Sequence, residues 1–327
     1  MLKKLLAALV LVRFLLLVPF LLLVASLSLA QSYPAKPVRL IVPFPPGGTT
    51  DLIARIIQPR FQEYLGQSVL IENRAGAGGS VGAAEVARAA PDAYTLLMVF
   101  DTHAVNHHIF KMAPDPFKEF EHISLMVTSP SAFVAVTSFA PNSMREIVAY
   151  AKANPEKVTY STPGSGSSNH LAALLFEQYA GIRLTHVAYK GGGPMVQALL
   201  GQQVHITFLS MPLILPHIKS GKVKAIATGG KTRAPQLPDV PTLSESYPGF
   251  EQISWFGILA PRGSPKESLG RIHREMTRTL RAPDVAQRLT DQGFDIVASS
   301  PEAFLTYVQA ESDKLGKLIR ENKIVAE

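Results

Sequence analysis

The sequence predicts an α/β protein of two lobes with mainly parallel sheets. Three observations carry that expectation. Short apolar runs with strand character alternate with amphipathic helical patterns from about residue 38 onward. Glycine-rich loops recur between the end of an apolar run and the start of a helix. The chain has 327 residues, about twice a typical domain, which is enough for two cores.

The first thirty residues stand apart. Met1-Leu2-Lys3-Lys4 is a basic start, and after Arg13 an almost unbroken apolar run reaches Leu29. Ser28-Leu29-Ala30 supplies the small residues a signal peptidase reads, so residues 1–30 are expected to be a signal peptide cleaved after about Ala30. An uncleaved anchor is the rival, since the segment is long enough to span a bilayer. Arg13 splits its apolar stretch, and Gln31-Ser32-Tyr33-Pro34 opens a polar chain directly after the small residues. The chain has no cysteine, which suits an exported protein that folds without disulfides and excludes thiol catalysis and cysteine metal sites. Three of the 32 basic residues lie in the leader, against 25 acidic ones overall. The remaining excess is mild, no Lys/Arg cluster interleaves with aromatics, and nucleic acid is not expected as a partner.

The elements follow in order. Val38-Arg39-Leu40-Ile41-Val42 reads as a strand, Pro43 to Gly48 as a loop, and Thr49 onward as a helix with Leu52, Ile53, Ile56 and Ile57 on one face. Ser68–Ile71 is a strand that leads into the glycine-rich stretch from Glu72 to Gly82 and a helix around Ala83–Ala90. A dinucleotide fingerprint starting at Gly76 would need glycine where Val81 stands, so a close-packed loop is expected there. Tyr94–Val99 is a strand, and Thr102–Phe110 a short helix cut off by Pro114 and Pro116. Ile123–Val127 and Phe133–Val136 read as two strands separated by Thr128-Ser129-Pro130-Ser131. Ser143-Met144-Arg145-Glu146 and Ser264-Pro265-Lys266-Glu267 read as capping boxes. Further strands are expected at Val158–Ser161, Leu184–Tyr189, Val204–Phe208 and Val223–Ala227, with Ile253–Leu259 as a return crossing. The last helix starts at Ser300-Pro301-Glu302 and is expected to bury Phe304, Leu305, Val308, Leu315, Leu318 and Ile319.

Two of the loops are candidates for chemistry. The loop from Phe44 through Pro46, Gly47 and Gly48 to Thr49 precedes the first helix; Ser165-Gly166-Ser167-Ser168-Asn169 precedes a helix beginning near His170. The first turn of a helix carries unpaired N–H groups and the positive end of its dipole, which suits an anion. Pro-Gly-Gly equally suits a tight turn with Thr50 or Asp51 capping the helix. His103 and His107 stand at i and i+4 and could share a metal, but no fourth ligand stands at useful spacing, so solvated or capping histidines are expected.

Several blocks together resemble one family. PFPPGG followed by Asp51, ENRAGAGGSVGAAEVARAAPDAYTLL, THAVN, STPGSGSSNHLAALLFE, YKGGGP, LPDVPTLSE and SWFGILAPRGSPKE are similar to the solute receptors of tripartite tricarboxylate transporters, also called the Bug family. The resemblance covers essentially all of the chain after the leader. It implies a periplasmic binding protein fold, type II-like, with two lobes joined by two crossing strands and closing by hinge motion. Lobe one would be residues 33–130 plus 256–327, and lobe two residues 131–255. The resemblance further implies that a ligand carboxylate sits between Phe44–Thr49 and Ser165–Asn169. Gly47, Gly48 and Gly166 would then give backbone contacts, and Ser165, Ser167 and Asn169 side-chain donors. Tyr189, Leu209 and Asp101 would meet the rest of the ligand, with Asp101 able to accept an ammonium. Asp51, having the sign of a carboxylate, is expected to cap its helix.

The implied protein is a monomeric periplasmic receptor without cofactor, handing a small organic carboxylate to membrane permease subunits. A periplasmic hydrolase is the rival, but Ser165-Gly166-Ser167 lacks the nucleophile elbow, which would need serine at position 166. A sensor docking on a signalling receptor would use the same binding chemistry.

Overall fold

Two β-sheets share one long strand. The structure is a computed structural model that describes residues 33–189 and 192–324. The expected signal peptide, the Lys190-Gly191 pair and residues 325–327 lie outside the described residues.

In chain order, β1 (Val38–Val42) leads into α1 (Thr49–Leu65), then β2 (Val69–Asn73), α2 (Ser80–Ala87), β3 (Thr95–Phe100), α3 (Asn106–Ile109) and β4 (Phe120–Val136). The middle of the chain gives α4 (Met144–Ala153), β5 (Thr159–Thr162), α5 (Ser168–Ala180), β6 (Thr185–Ala188), α6 (Gly192–Leu200), β7 (Ile206–Ser210), α7 (Met211–Lys219), β8 (Val223–Thr228) and α8 (Leu243–Ser246). It closes with β9 (Ile253–Pro261), α9 (Lys266–Leu280), α10 (Pro283–Asp291), β10 (Asp295–Ile296) and α11 (Pro301–Glu321).

The first sheet runs β2-β1-β3-β9-β4, with β10 also paired to β4. In the second sheet β4 lies between β8 and β7, and β5 and β6 follow β7. Each sheet contains the expected parallel trio, β2-β1-β3 and β7-β5-β6; the antiparallel pairs all involve the crossing strands β4 and β9. Val38, Leu40, Ile41 and Val42 are all fully buried, as in a strand with covered faces.

The two strands expected at Ile123–Val127 and Phe133–Val136 are one strand of 17 residues. Thr128-Ser129-Pro130-Ser131 reads as a break because it is polar and contains proline, yet its partner keeps it extended. Pro130 lies opposite Ile253, and the Ser131 N–H donates to the Gln252 carbonyl at 3.1 Å, so the ladder resumes one residue past the missing donor. Three chain passages meet at this point. Gln252 N–H donates to Gly229 O at 2.9 Å and Gly229 N–H to Ser131 O at 2.7 Å, closing a ring of three backbone bonds. A Cβ at Gly229 would run into the Gln252 carbonyl, so only glycine fits.

Each sheet carries its own core. Phe133, Phe208 and Phe176 centre the second, with ring centroids 4.5 Å (Phe133–Phe208) and 5.4 Å (Phe133–Phe176) apart. Trp255 and Phe304 centre the first, edge to face at 5.7 Å. Ser143 caps α4 as the sequence predicts, accepting from the Glu146 N–H, although the Glu146 carboxylate answers Asn142 rather than Ser143. The second capping box does not form: Pro265 stands at the cap of α9, and the Ser264 hydroxyl donates instead to the Pro261 carbonyl at 2.8 Å. Helix α7 is an addition to the expected elements, and it contains Pro212 and Pro216. Pro212 falls in the first turn, where a missing N–H costs nothing.

Candidate functional site

Helix starts from both sheets converge on one cavity of about 440 Å³. Gly48 precedes α1, Gly79 precedes α2, Ser167 precedes α5 and Ser210 precedes α7, and all four line it. Gly192, at the start of α6, lines it as well. None of the described residues lining the cavity carries a charge. An anion there would be held by backbone N–H groups, hydroxyls and helix dipoles.

The two candidate loops are brought together, but not every residue in them faces the cavity. Phe44, Gly48, Thr49, Ser167 and Asn169 line it. Pro46, Gly47, Asp101, Ser165, Gly166 and Tyr189 do not. The Gly47 N–H, expected to be offered to a ligand, donates to Asp51 Oδ2 at 2.9 Å. The Gly166 N–H donates to His170 Nδ1 at 3.0 Å. Gly166 is buried, and a Cβ on it would stand 2.7 Å from Ile109 Cδ1 on α3, so it forms a seam between the two halves of the molecule. Tyr189 packs on the core of the second sheet, its N–H bonded to Thr162 O at 2.9 Å.

Asp51 holds the first loop from behind. It accepts from Gly47, from Arg55 Nε at 2.9 Å and from Asn73 Nδ2 at 3.1 Å. Burial pushes its carboxyl up, but these bonds outweigh that and hold it below the usual carboxylate range. It therefore braces the loop rather than capping the helix, whose cap position is Gly48. In the second loop Ser167 caps α5 by accepting the His170 N–H at 3.3 Å. The His170 ring stacks on His186 with centroids 4.1 Å apart and planes at 7°. Burial and the neighbouring His186 lower the His170 pKa to about 4, so the ring is neutral near pH 7 and its Nδ1 is the acceptor Gly166 needs.

The halves also touch across the cavity: Thr49 Oγ1 and Ser210 Oγ share a buried hydrogen bond at 2.9 Å. Ser210 and Leu213 lie at the start of the unexpected α7, and Met195 on α6; sequence reasoning named none of them, whereas it did single out Leu209. Thr102 donates to Gly78 O at 2.9 Å, which orders the Gly76–Gly79 turn into the cavity wall.

Asp101 is not available as an ammonium acceptor. It is 3% exposed and absent from the cavity lining. Burial pushes its carboxyl well above the ordinary range, against the lesser opposing pull of Ser168, the Thr102 N–H and Ser254 nearby. Those neighbours stand close, yet neither carboxyl oxygen makes a hydrogen bond of proper geometry. Burial thus favours the protonated form of this acid. His103 is not solvated either: it packs edge to face on Phe120 at 5.1 Å, and burial lowers its pKa to about 3. Among the described residues no three His, Asp or Glu side chains form a metal cluster. None of the described helices is long and apolar enough to cross a membrane.

Residues 53–324 match the family described as tripartite tricarboxylate transporter family receptor. The chain is 34% identical to Protein BugT of Bordetella pertussis over 296 residues, covering 89% of this chain and 91% of the relative. Its fold matches the structure of the periplasmic binding protein BugD with a TM-score of 0.83 at 33% identity, over 90% of this chain and all of BugD. It likewise matches Rpa4515 of R. palustris with adipate (TM-score 0.85, 31% identity, 90% and 100% covered). MatC of Rhodopseudomonas palustris with bound malate gives a TM-score of 0.82 at 33% identity, with 88% and 100% covered.

Proposed function

Because this chain belongs to the tripartite tricarboxylate transporter receptor family and has the periplasmic binding protein fold, we propose that it is a periplasmic receptor that delivers a small organic carboxylate to a membrane permease. The family is one of solute receptors, and the chain is a receptor, not an enzyme. One observation carries the ligand class: helix starts from both sheets face a single cavity whose described lining is uncharged. The relatives with adipate and with malate share carboxylate chemistry and differ in the body attached to it.

In this reading the ligand carboxylate bridges the starts of α1 and α5, taking the Thr49 N–H, the Ser167 hydroxyl and the second N–H of the Asn169 amide, since the Gly48 N–H turns back to Pro45 O at 3.4 Å. Residues 33–130 with 256–327 form one lobe, and residues 131–255 the other. The lobes rotate about the crossing strands, and Thr49–Ser210 latches them. The leader ends near Ala30, and the mature protein acts as a monomer whose closed form docks on the permease subunits.

A thermal-shift screen of the chain from Gln31 onward tests this. A ligand at a hundred times its dissociation constant adds about 2.7 kcal/mol, a rise of several degrees. Acids are expected to raise Tm and their amides to leave it unchanged. A panel in which acid and amide act alike would remove the carboxylate reading. Failure to co-purify with the permease subunits in the presence of a bound acid would remove the transport partner.

A further inference from the structure

The walls of the cavity say more about the ligand than its donors do. From the first half of the molecule come Phe44 and Phe100, edge to face with centroids 5.8 Å apart. Phe100 also leans on Phe256 at 5.0 Å, so it is held in place from behind. From the second half come Met195, Leu209 and Leu213, on α6, β7 and α7. Apolar surface is thus presented from both sides, and the described lining includes no Asp or Glu that would pair with an ammonium group.

Several side-chain donors at the cavity are already committed. One hydroxyl of the Thr49–Ser210 pair donates to the other, the Thr102 hydroxyl donates to Gly78 O, and one of the two Asn169 amide N–H groups goes to the Phe208 carbonyl. A ligand rich in hydroxyls would bury polar groups against phenylalanine, methionine and leucine, at a cost for every one left unpaired. An apolar body gains instead from each methylene removed from water.

We infer that the ligand is a carboxylate with an apolar body, an aryl or alkyl acid, and that Phe100, Met195, Leu209 and Leu213 set this specificity. The inference rests on the carboxylate-receptor reading above and narrows it, turning away from amino acids and from hydroxylated di- and tricarboxylates.

Isothermal titration of the chain from Gln31 onward with straight-chain acids from acetate to octanoate, with benzoate, benzamide, malate and citrate, tests it. Affinity is expected to rise about fourfold per added methylene until the cavity is full. Benzoate should bind and benzamide should not. Leu213→Arg is expected to weaken hexanoate at least tenfold; Leu213→Ser, a milder change at this half-buried site, should flatten the chain-length slope. Malate or citrate binding more tightly than every alkyl and aryl acid, or a flat slope in the unmodified protein, would overturn the inference while leaving the receptor reading intact. Failure of every acid to bind would overturn both.

Discussion

The two loops that meet at the cavity solve the same problem with opposite electrostatics. In the first, an ionised carboxylate sits directly behind a helix start that faces the cavity: Asp51 ties down Gly47, pairs with Arg55 and accepts a further hydrogen bond from Asn73. In the second everything is neutral: the ring of His170 ties down Gly166, and the hydroxyl of Ser167 caps the helix. The first loop is exposed at Pro45, Pro46 and Gly47, whereas Gly166 is buried against Ile109. Asp51 is itself buried, so its charge is carried by the exposed Arg55 guanidinium and by the donors of Gly47 and Asn73 and not by solvent. An unpaired charge inside the seam would cost several kcal/mol.

The sharpest way to break the contrast is Gly166→Ala. The φ of +76° strains any L side chain, and the new Cβ would strike Ile109, so closure should weaken by about 3 kcal/mol and acid affinity fall about a hundredfold. Ile109→Ala in the same chain should restore part of that, because it removes the collision but not the strain. Titration calorimetry with the best acid from the thermal screen checks both; an unchanged affinity in Gly166→Ala would mean the seam is not needed for binding.

Next in size is Asp51→Ala, which frees the Gly47 N–H and leaves Arg55 unpaired. Loss of charge-assisted bonds of this kind costs about 2 kcal/mol, and affinity should drop more than tenfold, with Asp51→Asn recovering part. If Asp51→Ala bound acids more tightly, the carboxylate would be acting as a repulsive charge and not as a brace. Thr49→Val, which removes the bond to Ser210, should cost about 1 kcal/mol, roughly fivefold in affinity and all of it in the off-rate. Stopped-flow release of the same acid reads that directly.

The smallest effect concerns the buried acid beside the second loop. Asp101 has a folded pKa above its unfolded one, so its contribution to stability is full at acid pH and is lost as pH rises through the folded value. Asp101→Asn should therefore flatten the fall in Tm that sets in once pH rises above the ordinary carboxylate range, and leave Tm little changed below that range. An identical pH profile in the variant would mean that Asp101 stays charged in the folded protein.

The same contrast shows what sequence could and could not reveal. Both loops were legible, because Pro-Gly-Gly and Ser-Gly-Ser stood between an apolar run and a helical pattern. The positions within them that face the ligand were not. Whether a backbone N–H is free depends on whether Asp51 or His170 has already taken it, which spacing does not show. Asp101 reads from sequence as a charged group near a cleft, since neighbours such as Ser168 on α5 and Ser254 on β9 come from far along the chain. Ser210 and Leu213 escaped because α7, with Pro212 in its first turn and Pro216 in its interior, has no helical signal in the sequence strong enough to place them at a helix start. The crossing strand looked like two for a similar reason: the partner that keeps Pro130 extended, Ile253, is over a hundred residues away.

The ring of bonds joining Ser131, Gly229 and Gln252 has a consequence for how such receptors diversify. Its members are backbone groups, so substitutions around it leave the joint mechanically the same, and only a residue that puts an atom in the way, as at Gly229, would be refused. The cavity walls are made of side chains and are therefore open to replacement one by one. A lineage can thus change what lines its cavity without redesigning the point where its two sheets join.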